Sequence, residues 1–77
     1  MSLTAAEELR ETIRRCTTIS ETEAEVDATE EHAKRSDAVL LARLALLMHL
    51  RVLRSGGHDK VSAKNRDEAV AKLEAAK

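Results

Sequence analysis

Apolar residues recur at three- and four-residue steps along most of the chain, the spacing of one face of an α-helix. Ala6, Leu9, Ile13 and Cys16 make the first stripe, with Arg10 and Arg14 on the far side. Ahead of it, Thr4-Ala5-Ala6-Glu7 has the capping-box spacing, in which a Thr hydroxyl and a Glu carboxylate each take an end-of-helix amide. Leu3 stands where a hydrophobic staple would. The pattern predicts a helix over about 5–16. Thr17-Thr18-Ile19 is a β-branched run, stiff at χ1 and a poor continuation. Thr18–Glu21 and Ser20–Glu23 both repeat the capping spacing, so a break is expected at Thr17–Ser20 with two candidate caps.

From Ser20 to Arg54 there is neither Gly nor Pro. The first part has a thin stripe, Ile19, Val26 and Ala33, flanked by Thr22 and Thr29 among acids. Ser36-Asp37 offers a cap, but Val39 stands where the capping box wants Glu. The reading preferred is one long helix over 20–54 with a kink near 36; a separate third helix is the close alternative. Within Asp37–Arg54, an arc running from Leu44 through His49 to Leu50 carries no fixed charge and is roughly 240° wide, against the ~100° of an ordinary surface helix. Ala38, Ala42 and Ala45 form a small-residue seam in it, which permits close helix approach. Short helices of one chain would hardly cover such an arc, so part of it is expected to meet another chain. The expected interface residues are Leu41, Leu44, Leu46, Met48, His49, Leu50, Val52 and Leu53.

Ser55-Gly56-Gly57-His58 ends this helix, because a Gly just past the last apolar residue adopts the left-handed conformation that caps carbonyls. Gly56 and Gly57 are the expected turn residues. Asp59 or Ser62 then starts a last helix, 59–76, with the stripe Val61, Ala69 or Val70, Leu73 and Ala76.

Composition agrees with helices throughout. Among 77 residues there is no Phe, Trp, Tyr or Pro, and only two Gly. Ala, Leu, Glu, Arg and Lys dominate, all good helix formers. Aromatic and β-branched runs, which a β domain needs, are missing. So short a chain buries only about 60% of its unfolded surface when folded alone, and small domains without disulfides or metal often need a partner. The single Cys cannot make an intrachain disulfide, which places the protein by default in a reducing compartment. Net charge is -1, but its distribution is uneven. Residues 1–33 carry nine acids and three bases, residues 34–54 one acid and five bases, and residues 55–77 four acids and five bases. The two signs could attract within one chain or between two. The start is acidic, unlike a signal peptide. The stretch Val39–Leu53 is interrupted by Arg43, His49 and Arg51 and is shorter than the roughly 20 apolar residues of a membrane span. A cytoplasmic location is expected.

No catalytic, cofactor-binding or metal-binding set can be assembled. His32, His49 and His58 have no ligand partner at helical spacing, and Glu-x-x-His and His-x-x-x-His are both absent. His49 lies on the Ala side of the apolar arc and reads as a buried, hydrogen-bonded interface residue. Cys16 follows Arg14-Arg15, yet it lies on an apolar stripe near a helix C-terminus and reads as a small buried hydrophobe. The basic pairs are short and lack interleaved aromatics for stacking on bases, so nucleic acid is not an expected partner. An enzyme is not expected either.

The short–long–short helix order resembles the histone fold, a family whose chains pair head to tail as dimers. Ile19-Ser20 entering the long helix resembles it too, as does Lys60-Val61-Ser62-Ala63 with Asp67 in the last helix. The sequence departs from that family in its acidic first half, its missing aromatics and its near-neutral charge. The helix–Gly-Gly–helix plan is also similar to that of short helical co-chaperones of bacterial secretion systems.

The sequence thus predicts one all-α domain over 1–77, a small bundle of two to four helices with a long central helix, completed by oligomerisation. The leading function is a non-enzymatic protein–protein interaction or assembly module, self-associating through the apolar central helix or docking on another helical protein. The histone resemblance implies the alternative, a dimer associated with nucleic acid.

Overall fold

A computed structural model describes residues 3–76 of the chain. Met1, Ser2 and Lys77, which the one-domain reading includes, lie outside the described residues. Four α-helices follow in order: α1 (Ala5–Arg15), α2 (Ile19–Ala33), α3 (Asp37–Arg54) and α4 (Lys60–Ala75). The described residues contain no strand.

Each helix begins on a side chain that takes an orphan amide, the role of an N-cap. Thr4 and Glu7 form the reciprocal capping box of α1, with Glu7 N–H donating to Thr4 Oγ1 at 3.2 Å and Thr4 N–H to Glu7 Oε1 at 3.0 Å. Thr18, not Ser20, caps α2, its Oγ1 accepting from Glu21 N–H at 3.1 Å. Ser36 Oγ accepts from Val39 N–H at 3.3 Å and opens α3. Asp59 opens α4, with Oδ1 accepting from Ser62 N–H and Oδ2 from the Ser62 hydroxyl, at 2.9 and 2.7 Å.

The single helix preferred over 20–54 is therefore two. α2 tightens at its end, with Arg35 N–H donating back to His32 O at 3.1 Å, and Ser36 is extended (φ -144, ψ 121). The reason is local. A serine that can satisfy the first free amide of a new helix makes a break inexpensive, and the thin stripe of α2 gives no apolar reason to continue straight. With helices of 11, 15, 18 and 16 residues, the short–long–short order behind the histone resemblance is not present.

The turn after α3 is a Schellman motif. Gly57 N–H donates to Val52 O at 2.9 Å and Gly56 N–H to Leu53 O at 3.0 Å, the paired bonds that close a helix C-terminus through a left-handed residue. Both glycines take positive φ, 67° and 88°.

α3 packs against α2 and against α4, while α1 rests mainly on α4 and touches α3. The core is aliphatic: Ala6 and Leu9 of α1, Val26 of α2, Ala45 and Leu46 of α3, and Ala69, Val70 and Leu73 of α4. Ile13, Leu41, Ala42 and Leu47 pack partly against it. Two stripe residues fall outside. Ile19 is exposed and Val61 is 70% exposed; Thr22 and Ser62 take the inward positions beside them, both buried. Thr22 can do so because its hydroxyl donates to Thr18 O at 2.8 Å, within its own helix. Every buried side-chain nitrogen and oxygen among the described residues has a partner. The radius of gyration, 11.7 Å, is close to the about 11.5 Å of a folded chain this long. One chain therefore closes most of its own core.

Candidate functional site

The surroundings of α3 are ordered around its axis. At 100° per residue, Arg43 and Arg54 lie together, and both reach α2. Arg43 Nη1 donates to Val26 O at 2.8 Å and to Thr29 Oγ1 at 3.3 Å, and Arg54 pairs with Glu23 at 2.9 Å. The α4 side is a groove in which Leu44, Met48 and Arg51 meet Asn65, Glu68, Ala69 and Lys72. His49 faces α1, where its Nε2 lies 2.8 Å from Cys16 O. The sector left over, between α2 and α4 and opposite α1, holds Leu40, Leu44, Leu47 and Arg51. Leu40 is 53% and Leu44 45% exposed, one turn apart, and Leu47 is half-buried. A second groove, lined by Glu30, Ala33, Lys34, Leu40 and Arg43, borders this face on the α2 side. It is an apolar strip edged by charges.

The expected interface residues therefore divide. Leu46, Leu50 and His49 are buried within the single chain. Leu41, Met48, Val52 and Leu53 are half-buried, and Leu44 is exposed. The wide arc is covered largely by α1, α2 and α4, which a reading limited to two short terminal helices did not allow for. Leu40 and Leu47 were missed because the arc ended at Leu44 and Leu50, the last residues before the arginines. The signal was present in the spacing, since Leu40 and Leu44 are i and i+4 on one face.

His49 is the centre of a second arrangement. Its Nδ1 lies 3.0 Å from Arg66 Nη1. A guanidinium can only donate and a backbone carbonyl can only accept. The partners thus assign the neutral ring with its proton on Nε2: Nε2–H donates to Cys16 O and Nδ1 accepts from Arg66. Arg66 Nε also donates to Asp67 Oδ1 at 3.0 Å. Above His49, between α1 and α4, a cleft of about 480 Å³ is lined by Arg10, Ile13, Arg14, His49, Arg66, Asp67 and Val70. Arg10 pairs with Glu74 across its edge. Nothing in the sequence spacing signalled Arg66, because its partner is 17 residues away.

Cys16 is buried at the C-cap of α1. Burial, reinforced by the Glu25 carboxylate, pushes its thiol above the ordinary value, against a hydrogen bond with Thr22 that pulls it down. A raised thiol is a poor nucleophile. His32 and His58 are exposed. Among the described residues no group of three or more His, Cys, Asp and Glu is placed to hold a metal ion, and no helix is long and apolar enough to cross a membrane.

Comparison with protein-family models, with curated proteins and with solved structures found no match to this chain.

Proposed function

We propose that this chain is a non-enzymatic helical assembly module that pairs with a second copy of itself through the open face of α3. The observation that carries the reading is the exposed pair Leu40 and Leu44, one turn apart on α3 and on the side of that helix away from His49 and α1. Two leucines left side by side on the central helix supply an apolar centre on which a second helix can pack. Charge favours a second copy as the occupant. α2 has six acidic residues and no Lys or Arg along its length, whereas α4 has four Lys or Arg against three acids. A two-fold axis running parallel to α3 lays the acidic α2 of one copy over α4 of the other. An axis across α3 would instead stack acid on acid. Laying the acidic helix over one that carries bases selects the orientation more than it adds affinity.

Sedimentation from about 1 to 100 μM tests this, because a dimer of moderate affinity changes its population over that range. The wild type should shift from monomer to dimer. Leu44→Glu should stay monomeric with unchanged helical circular dichroism, since its site is already half in water. A wild type that is monomeric at about 100 μM, or a Leu44→Glu variant that dimerises like it, overturns the proposal.

A further inference from the structure

We propose that the cleft between α1 and α4 binds the phosphomonoester group of a small molecule with a short apolar body. This site is separate from the open face of α3, because His49 at its floor and Leu44 on that face point to well-separated sides of the helix. It does not depend on the assembly reading.

Three arginines line one cleft against a single acidic residue, Asp67. They are not equivalent. Arg66 is fixed: Nη1 donates to His49, whose ring is held in turn by Cys16 O, and Nε is taken by Asp67. Its side chain is only 21% exposed. Among the described residues its Nη2 has no hydrogen-bond partner. The Arg14 side chain, on the facing helix, makes no hydrogen bond or ion pair with any described residue. Arg10 is shared with Glu74 at the rim. Two arginines with donors uncommitted among the described residues on one cleft, one of them immobilised by the fold, suit a planar-fork contact to a phosphate. Anchoring lowers the entropy lost on binding. Several of the carbonyls at the end of α1, which would repel an anion, are already engaged. Thr12 O and Ile13 O accept from Cys16 N–H, and Cys16 O accepts from His49. Ile13 and Val70 supply an apolar wall. A dianion with a small apolar body therefore fits this site better than a bare ion.

The test is a titration of the full chain at constant ionic strength with inorganic phosphate, phenyl phosphate and benzoate, followed by the amide and Arg side-chain NMR signals. Phenyl phosphate should saturate below about 20 mM, shifting Arg66 Nε–H and the amides around Ile13 and Val70 while those of Leu40 and Leu44 stay still. Inorganic phosphate should bind several-fold more weakly, and benzoate more weakly than phenyl phosphate. Arg14→Ala removes no side-chain hydrogen bond or ion pair to a described residue and should weaken phenyl phosphate at least about fivefold, with the melting temperature unchanged. Non-saturating shifts, shifts spread over every basic residue, equal affinity in Arg14→Ala, or benzoate binding as tightly as phenyl phosphate would each overturn the proposal.

Discussion

His49 joins three helices through two ring nitrogens. It stands on α3, hydrogen-bonds the carbonyl of Cys16, the C-cap of α1, and accepts from Arg66 of α4. A residue in this position does the work of a longer polar network with one side chain, and both its contacts are needed because an unpaired polar group is costly where water is scarce. His49→Leu keeps the volume but strands Cys16 O. It should lower stability by about 1–3 kcal/mol in urea unfolding. Arg66→Met should cost less, since its guanidinium reaches the cleft and water. In the double variant the two effects should add to less than their sum. Strict additivity would mean that the ring and the guanidinium do not act together.

The helices owe their limits to caps rather than to changes in hydrophobicity. α2 shows this most clearly. Its apolar stripe is too thin to hold it, and it is secured by the Thr18 cap, the buried Thr22, and the arginine contacts from α3 to Val26 O and Glu23. The α3–α4 turn depends on its backbone conformation. At Gly57 a Cβ would meet nothing within 4 Å, yet φ is +88°. Gly57→Ala should therefore cost about 1 kcal/mol through backbone strain alone, read as a lower urea midpoint; an unchanged midpoint would show that the turn relaxes. The Asp59 cap has a pH signature. Hydrogen bonds from the Ser62 backbone and hydroxyl hold its carboxyl below the ordinary carboxylate range. A carboxyl lowered on folding contributes stability above its unfolded value, near ~3.9, and that contribution is lost as pH falls through the lower folded value. Asp59→Asn keeps a capping oxygen and removes the titration. Its melting temperature should consequently fall less steeply below about pH 4 than that of the wild type.

At the scale of the whole molecule, one chain encloses an aliphatic core and leaves one side of its central helix bare. The two kinds of leucine on α3 separate these roles. Leu46 is 2% exposed and Leu44 45%. Leu46→Ala should cost about 2–5 kcal/mol, the loss of a buried side chain plus the cavity it leaves. Leu44→Ala, measured at a concentration where the chain is monomeric, should cost less than about 1 kcal/mol. Equal losses would mean that Leu44 is also part of the single-chain core. A chain with no Phe, Tyr or Trp has little stability to spare, so its arginines matter as ties between helices. Arg10 links α1 to α4, Arg43 and Arg54 link α3 to α2, and Arg66 links α4 to His49.

The all-helical class, the limits of α1 and α4, the Gly turn and the buried place of Cys16 were all legible in the chain. Each rests on contacts a few residues apart: the Thr4–Glu7 box, the Gly56-Gly57 bonds back to Leu53 and Val52, and the 3.6-residue stripe. The break at Ser36 was half legible, because the cap was visible but the competing option, a continuous helix, carried no penalty that a one-dimensional pattern could show. Which side of α3 stays open was not legible. Leu44 and Leu46 are the same residue type two positions apart, and only the packing of α1, α2 and α4 around the axis buries one and leaves the other in water. The same holds for His49 with Arg66 and for the arginine cleft. Their partners lie on different helices, so it is the crossing of those helices, not any spacing along the chain, that brings the charges together.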